Sequence, residues 1–268
     1  MSIMAITEEI IHEVIALTRQ AGSAIMEMYK TDFDIQIKAD NSPVTAADIK
    51  ANAVITEGLK EINPEIPILS EEGRDVPFEE RSKWETFWLV DPLDGTKEFI
   101  KKNDEFTINI ALLEKNQPVF GVVFAPALDI LYWGCQDKGA FKSIGGNSHK
   151  PVSVKPNLSD PVQIAGSRSH PSNKMNIFTS QFEKYEVKPM GSSLKICSVA
   201  DGSVHFYPRL GPTMEWDTGA AHAVLRAAGG EIIKYGTYEP LEYNKRNLLN
   251  PEFLAGNVNA IRSLEPVN

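Results

Sequence analysis

Cysteine is scarce in this 268-residue chain, with only Cys135 and Cys197. The two fall in no metal-ligand spacing and cannot build a disulfide-held scaffold, so a reducing, cytoplasmic setting is expected. Positive charge is also short: 27 Lys and Arg face 36 Asp and Glu, a formal net charge of -9. That balance excludes non-specific binding to nucleic acid or to an anionic membrane surface. An anionic ligand would then need local positive charge, and clustered carboxylates that recruit cations are one source of it. No window is apolar over the length of a bilayer, and the segment from Met1 to Thr7 lacks a basic stretch followed by an apolar one. A soluble, unprocessed chain is expected, with no segment that requires a membrane. Internal repeats and low-complexity tracts are missing too. The remaining composition, 42% hydrophobic and 24% charged, is that of one large catalytic unit or two closely packed halves.

Apolar residues at helical spacing predict a helix from Thr7 to Tyr29 and a second from Ala46 to about Glu61, with Thr45 as its N-cap. Strand signals follow at Ile66 to Leu69, Thr86 to Val90, Thr107 to Leu113, Pro118 to Phe124 and Ile130 to Trp133. The last three are close-spaced and predict an antiparallel meander. The turn-rich stretch from Gly145 to Pro156 is the expected internal boundary, dividing the chain into residues 1–147 and 148–268. Beyond it, strands at Val162 to Ala165, Val204 to Tyr207 and Glu231 to Ile233 alternate with helices at Met175 to Phe182, Ser192 to Ala200 and Asp217 to Ala228. Such alternation predicts α/β layers.

The central feature is Trp88-Leu89-Val90-Asp91-Pro92-Leu93-Asp94-Gly95-Thr96, an apolar strand running into two acids. A carboxylate at the end of a buried strand is costly unless something neutralises it. Pro92 holds Asp91 extended, Gly95 permits a tight turn, and Leu93 offers a carbonyl oxygen between the acids. Oxygen donors without His or thiolate select hard cations, chiefly magnesium. Amides of Gly95 and Thr96 at a helix start would add an anion site beside the cation. Taken alone, Asp94 reads equally well as a helix cap. Three further segments read locally as ordinary structure: Glu71 in Ser70-Glu71-Glu72-Gly73 as solvated surface, Asp217 as a helix cap, and Thr45 with Asp48 as a capping box.

In this order the four segments resemble the lithium-sensitive, magnesium-dependent phosphatases, which include inositol monophosphatase, fructose-1,6-bisphosphatase and the 3'(2'),5'-bisphosphate nucleotidases. The resemblance runs from Asn41 to about Gly230. It is nearest to the bacterial nucleotidases, through Asp40-Asn41-Ser42-Pro43-Val44-Thr45-Ala46-Ala47-Asp48, Asp91-Pro92-Leu93-Asp94-Gly95-Thr96-Lys97-Glu98-Phe99-Ile100, Gly191-Ser192-Ser193-Leu194-Lys195 and Tyr207-Pro208-Arg209. It implies an α/β fold of the layered αβαβα kind. It also implies that Glu71, Asp91, Asp94, Asp217 and the Leu93 carbonyl hold two or three Mg2+ ions. Asp48 and Thr96 would activate the attacking water, and Gly95 and Thr96 amides would hold the transferring phosphoryl group.

A bisphosphate carries a second, unreactive phosphate, for which Lys195 and Arg209, assisted by Ser192, are the candidates. The resemblance places His170 against the adenine. The expected reaction converts adenosine 3',5'-bisphosphate to AMP and phosphate, in support of sulfur assimilation. An inositol or sugar phosphatase with the same metal cage is the alternative, and a non-catalytic nucleotide sensor is a third reading. The second is distinguished by the basic pair, the third by the intact Asp48 and Thr96. The partner expected is a small nucleotide bisphosphate, with no nucleic acid and no obligate protein partner.

Overall fold

The computed structural model describes residues 6–31, 35–37, 43–166 and 173–264. Helix α1 (Glu8–Tyr29) is capped by the Thr7 hydroxyl. A short antiparallel pair, β1 (Ile35–Ile37) and β2 (Pro43–Thr45), leads into α2 (Ala46–Ile62). Then follow β3 (Ile68–Ser70), the single turn α3 (Phe78–Arg81), β4 (Thr86–Asp94), the short α4 (Thr96–Ile100), and β5 (Thr107–Glu114), β6 (Gln117–Ala125), β7 (Ile130–Cys135), β8 (Gly139–Ile144) and β9 (Lys150–Val152). Strands β3 to β9 form a seven-stranded sheet in sequence order, with only β3 and β4 parallel.

The predicted meander therefore runs two strands further than the sequence signals. Burial along β8 and β9 is broken and partial, so their apolar pattern is weak. Gly145 and Gly146, with φ of +61° and +69°, make the hairpin turn between them. The first sheet thus ends at Val152, and the second begins at Val162.

The second sheet is built from β10 (Val162–Gly166), β11 (Tyr185–Pro189), β12 (Phe206–Arg209), β13 (Glu231–Lys234) and β14 (Phe253–Gly256), in the order β11-β10-β12-β14-β13. Helices α5 (Asn173–Thr179), α6 (Leu194–Ala200), α7 (Trp216–Ala227) and α8 (Val258–Arg262) interleave with it. The expected α/β alternation is present. Missed were β11, an edge strand with mostly exposed side chains, and the short β14.

Three apolar cores fix the layers. Ile11, Ile15, Ile55 and Leu59 of α1 and α2 pack on Trp88, Ile108, Ile110 and Val122 of the first sheet. Its other face, with Leu89, Ala111 and Leu113, packs with Val199 of α6, Ala220 and Val224 of α7, and Tyr207 and Ala255 of the second sheet. Phe178 of α5 and Ile261 of α8 pack with Ile164, Phe206 and Leu254. The result is an αβαβα sandwich. Helix α7 approaches the first sheet closely because glycine lies beneath it: a Cβ on Gly134 would stand 2.6 Å from Val224 Cα. Among the described residues no helix is long and apolar enough to cross a membrane.

Candidate metal and phosphate site

Three acids distant in sequence meet where β3, β4 and α7 converge. One carboxylate oxygen each from Glu71, Asp91 and Asp217 lies within 4.8 Å of the others. Each is brought there by a backbone device. The Glu71 amide donates to Val90 O at 3.1 Å, extending β3 alongside β4. Asp91 ends the regular part of β4, and the register with β5 shifts between Asp91 and Asp94, as expected from Pro92. Asp217 lies in the first turn of α7. That turn is anchored by buried Glu215, which accepts from the amides of Asn244 (2.6 Å) and Lys245 (3.1 Å) and from Lys245 Nζ (2.5 Å). Asp217 does not cap the helix: its Oδ2 accepts from Thr213 Oγ1 at 2.6 Å and from the Met214 amide at 2.9 Å.

The electrostatics call for a cation. Asp91 is 1% exposed, and burial, followed by the charges of Glu71, Asp94 and Asp217, pushes its carboxyl well above the usual range. Burial and the Asp94 charge raise Asp217 to about 7. Asp91 Oδ1 accepts from the Leu93 amide at 3.0 Å, while its buried Oδ2 has no hydrogen-bond partner among the described residues. A buried, orphaned carboxylate oxygen amid like charges is relieved either by a proton or by a bound cation. The donors are all oxygens, so the residues fit a hard divalent cation.

Beside this cluster, Asp48 holds two roles at once. Its Oδ2 accepts from the Thr45 amide (2.8 Å) and the Thr45 hydroxyl (2.7 Å), the N3 half of a capping box at the start of α2. Its Oδ1 accepts from Thr96 Oγ1 at 3.2 Å. Burial raises the Asp48 pKa. Gly95, with φ of +93°, caps α4 and turns the backbone so that Thr96 faces Asp48.

A cavity of about 240 Å³ opens from the cluster, lined by Asp94, Gly95, Asp217, Ser192, Lys195 and Arg209, among others. Ser192 donates to Asp94 Oδ2 at 2.5 Å. It does so with φ of +53°, a left-handed conformation that costs a non-glycine residue roughly 1–2 kcal/mol. Lys195 is 6% exposed, yet its ammonium has a single long hydrogen bond, to Met190 O at 3.3 Å, and lies 5.6 Å from the Tyr207 ring centroid. Burial lowers its pKa to about 8, against the opposing pull of Asp94. Arg209 approaches the same tyrosine, its Nη1 lying 3.5 Å from the hydroxyl, and its buried Nε has no hydrogen-bond partner among the described residues.

The structure thus brings Glu71, Asp91 and Asp217 into one cluster and sets Asp94 beside it, close enough for its charge to raise both Asp91 and Asp217. Leu93 lies inside the bulge, its carbonyl 3.5 Å from Thr96 Oγ1. Lys195, Arg209 and Ser192 share the cavity, while His170 lies outside the described residues. Sequence reasoning missed Thr213, which holds Asp217, and Thr107, Asn109 and Ser193, which stand behind Ser192. Thr107 and Asn109 carried a signal: they are polar positions alternating with Ile108 and Ile110 in a fully buried strand.

Known proteins share this architecture and sequence. The chain is 45% identical to 3'(2'),5'-bisphosphate nucleotidase CysQ of Escherichia coli (strain K12), over 90% of this chain and 97% of the relative. It is 37% identical to the CysQ nucleotidase of Haemophilus influenzae, covering 94% of each. The crystal structure of CysQ from Bacteroides thetaiotaomicron, a bacterial member of the inositol monophosphatase family, superposes with a TM-score of 0.83 at 38% identity, covering 94% of this chain and 98% of that one. The family profile itself spans residues 7–265, the stretch that supplies every acid, hydroxyl and basic group described above, and the chain belongs to the inositol monophosphatase family.

Proposed function

We propose that the protein hydrolyses the 3'-phosphate of adenosine 3',5'-bisphosphate with Mg2+, releasing AMP and phosphate. The observation that carries this is one cavity lined by charges of both signs. Asp94 and Asp217 line it together with buried Lys195 and partly buried Arg209. Acidic groups suit a cation beside the reacting phosphate, while basic groups suit a second phosphate. The nucleotidases to which the chain is similar support this choice over a simple monoester phosphatase.

Glu71, Asp91, Asp94, Asp217 and the Leu93 carbonyl are assigned as ligands of two or three Mg2+ ions. When bound, magnesium supplies Lewis-acid charge to the phosphoryl oxygens and lowers the pKa of water. The chain's own residues do the rest. Thr96 directs its hydroxyl proton to Asp48, which leaves its oxygen free to accept a hydrogen bond from water. As that water attacks phosphorus, its proton passes through Thr96 towards Asp48, whose raised pKa suits it to receive a proton. The P–O3' bond breaks in line, with no phosphoenzyme, and the 3'-oxygen takes a proton from solvent to become the hydroxyl of AMP. The amides of Gly95 and Thr96 are assigned to the phosphoryl group, and Lys195, Arg209 and the Ser192 backbone amide to the 5'-phosphate. Residues 1–147 then carry most metal ligands, and residues 148–268 most substrate contacts. A cytoplasmic location suits the two buried, unpaired cysteines.

The test is phosphate release from adenosine 3',5'-bisphosphate and from inositol 1-phosphate, with and without Mg2+. The proposal expects Mg2+-dependent release and a strong preference for the bisphosphate. The opposite preference would reject the substrate and leave the phosphatase chemistry standing.

A further inference from the structure

Strand β5 lies antiparallel to β4 with Thr107 registered opposite Asp94 and Asn109 opposite Asp91. Both side chains are buried, at 0% and 1% exposure, in a strand whose other residues are apolar apart from its terminal Glu114. Such groups are retained only when hydrogen-bonded. Their partners are two serines more than eighty residues away. Thr107 Oγ1 lies 2.5 Å from Ser192 Oγ and 2.8 Å from Ser193 Oγ. Ser193 Oγ contacts Asn109 Oδ1 at 2.8 Å, and Ser192 Oγ donates to Asp94 Oδ2 at 2.5 Å. Asn109 Nδ2 donates to Thr107 Oγ1 at 3.3 Å, so the chain runs from Asn109 through Thr107 and Ser192 to the Asp94 carboxylate.

Counting hydrogens gives Thr107 its role. A serine hydroxyl has one proton. Ser192 gives its proton to Asp94, so the short contact between Ser192 and Thr107 is a hydrogen bond only if Thr107 donates. Thr107 thereby fixes the rotation of the Ser192 hydroxyl, and that hydroxyl fixes one oxygen of Asp94. Thr107 and Asn109 come from an interior strand of the first sheet, whereas Ser192 belongs to the segment leading to Lys195.

We propose that Thr107 is a positioning residue for the metal site, acting through the Ser192 hydroxyl to hold the Asp94 carboxylate in the orientation that binds a divalent cation. The inference rests on the reading of Asp94 as a metal ligand given above. Groups that orient metal-binding carboxylates typically affect affinity about 10- to 100-fold when removed.

The experiment measures Mn2+ binding directly, from the electron paramagnetic resonance signal of free Mn2+, alongside kcat, KM and the thermal midpoint. Thr107→Val keeps the side-chain shape and removes the donor, and is expected to weaken Mn2+ binding about tenfold. Thr107→Ser restores the donor and is expected to bind within about twofold of the parent, which a purely structural role for the threonine methyl would not give. Ser192→Ala should match Thr107→Val, and the double variant should lose no more than either alone. Additive losses, or a folded Thr107→Val that binds Mn2+ like the parent, overturn the proposal. If Thr107→Val does not fold, Ser192→Ala decides: binding equal to the parent overturns it. If the parent itself binds no Mn2+, or Asp94→Asn binds as tightly as the parent, the metal reading has failed instead.

Discussion

Gly121 of β6 lies directly beneath Ala220 of α7, so close that a Cβ on Gly121 would collide with the Ala220 carbonyl oxygen. Three residues before Ala220, the same helix carries Asp217. Gly121→Ala therefore pushes on the backbone that delivers a proposed metal ligand. Overpacking of this kind costs about 1–3 kcal/mol. The expected outcome is a lower thermal midpoint together with a raised Mg2+ requirement for activity. A loss of stability with an unchanged Mg2+ requirement would show that α7 does not pass the strain to Asp217.

The paired Asp48 and Thr96 predict a kinetic signature. Asp48→Asn and Thr96→Val should each lower kcat by at least about 100-fold, the usual scale for losing a general base. KM should change little, because neither group is assigned to the spectator phosphate. Thr96→Ser should recover most of the activity. Steady-state kinetics with saturating Mg2+ check this, and full activity in Thr96→Val would remove the pair from the chemistry.

Lys195 and Arg209 predict selectivity. A hydrogen bond to a charged group contributes roughly 1.5–3 kcal/mol, so Lys195→Met or Arg209→Met should cost about 10- to 100-fold in kcat/KM for the bisphosphate. Turnover of 3'-AMP, which lacks the second phosphate, should change far less. Equal losses on both substrates would contradict the assignment. The pH dependence has a definite sign. Lys195, with its pKa lowered to about 8, is cationic below that value and neutral above it. Bisphosphate kcat/KM should therefore fall as pH rises through about 8, and Lys195→Met should abolish that step.

Removing the metal should expose the repulsion around Asp91. Mg2+ that binds only the folded chain stabilises it by about 2.7 kcal/mol at 100 times its Kd, so the thermal midpoint should rise on titrating Mg2+ into chelator-treated protein. Asp91→Asn removes one of the crowded charges. In chelator it should be at least as stable as the parent, yet show little response to Mg2+. A parent midpoint insensitive to Mg2+ would count against the cation site.

Much of this was legible in local sequence. The capping box at Thr45 and Asp48 and the bulge between Asp91 and Asp94 follow from residues a few positions apart, and both are present. Asp217 was placed at a helix start, but its cap role was only one reading, because Thr213 and Met214, which occupy its Oδ2, act through a turn that periodicity does not reveal. Strands β8, β9 and β11 escaped because their side chains are half exposed or exposed, and a partly wetted strand needs no strict alternation. The Thr107 to Ser192 contact is tertiary, spanning 85 positions, so only the oddity of polar residues in a buried strand pointed to it.

The capping box has one more consequence. Because the Asp48 carboxylate also closes the capping box of α2, the proposed proton acceptor is tied to the start of the helix that carries it. To swing away from Thr96, Asp48 would first have to give up its two hydrogen bonds to Thr45. A substitution that deletes the Asp48 side chain would therefore weaken the start of α2 as well as the proposed proton transfer.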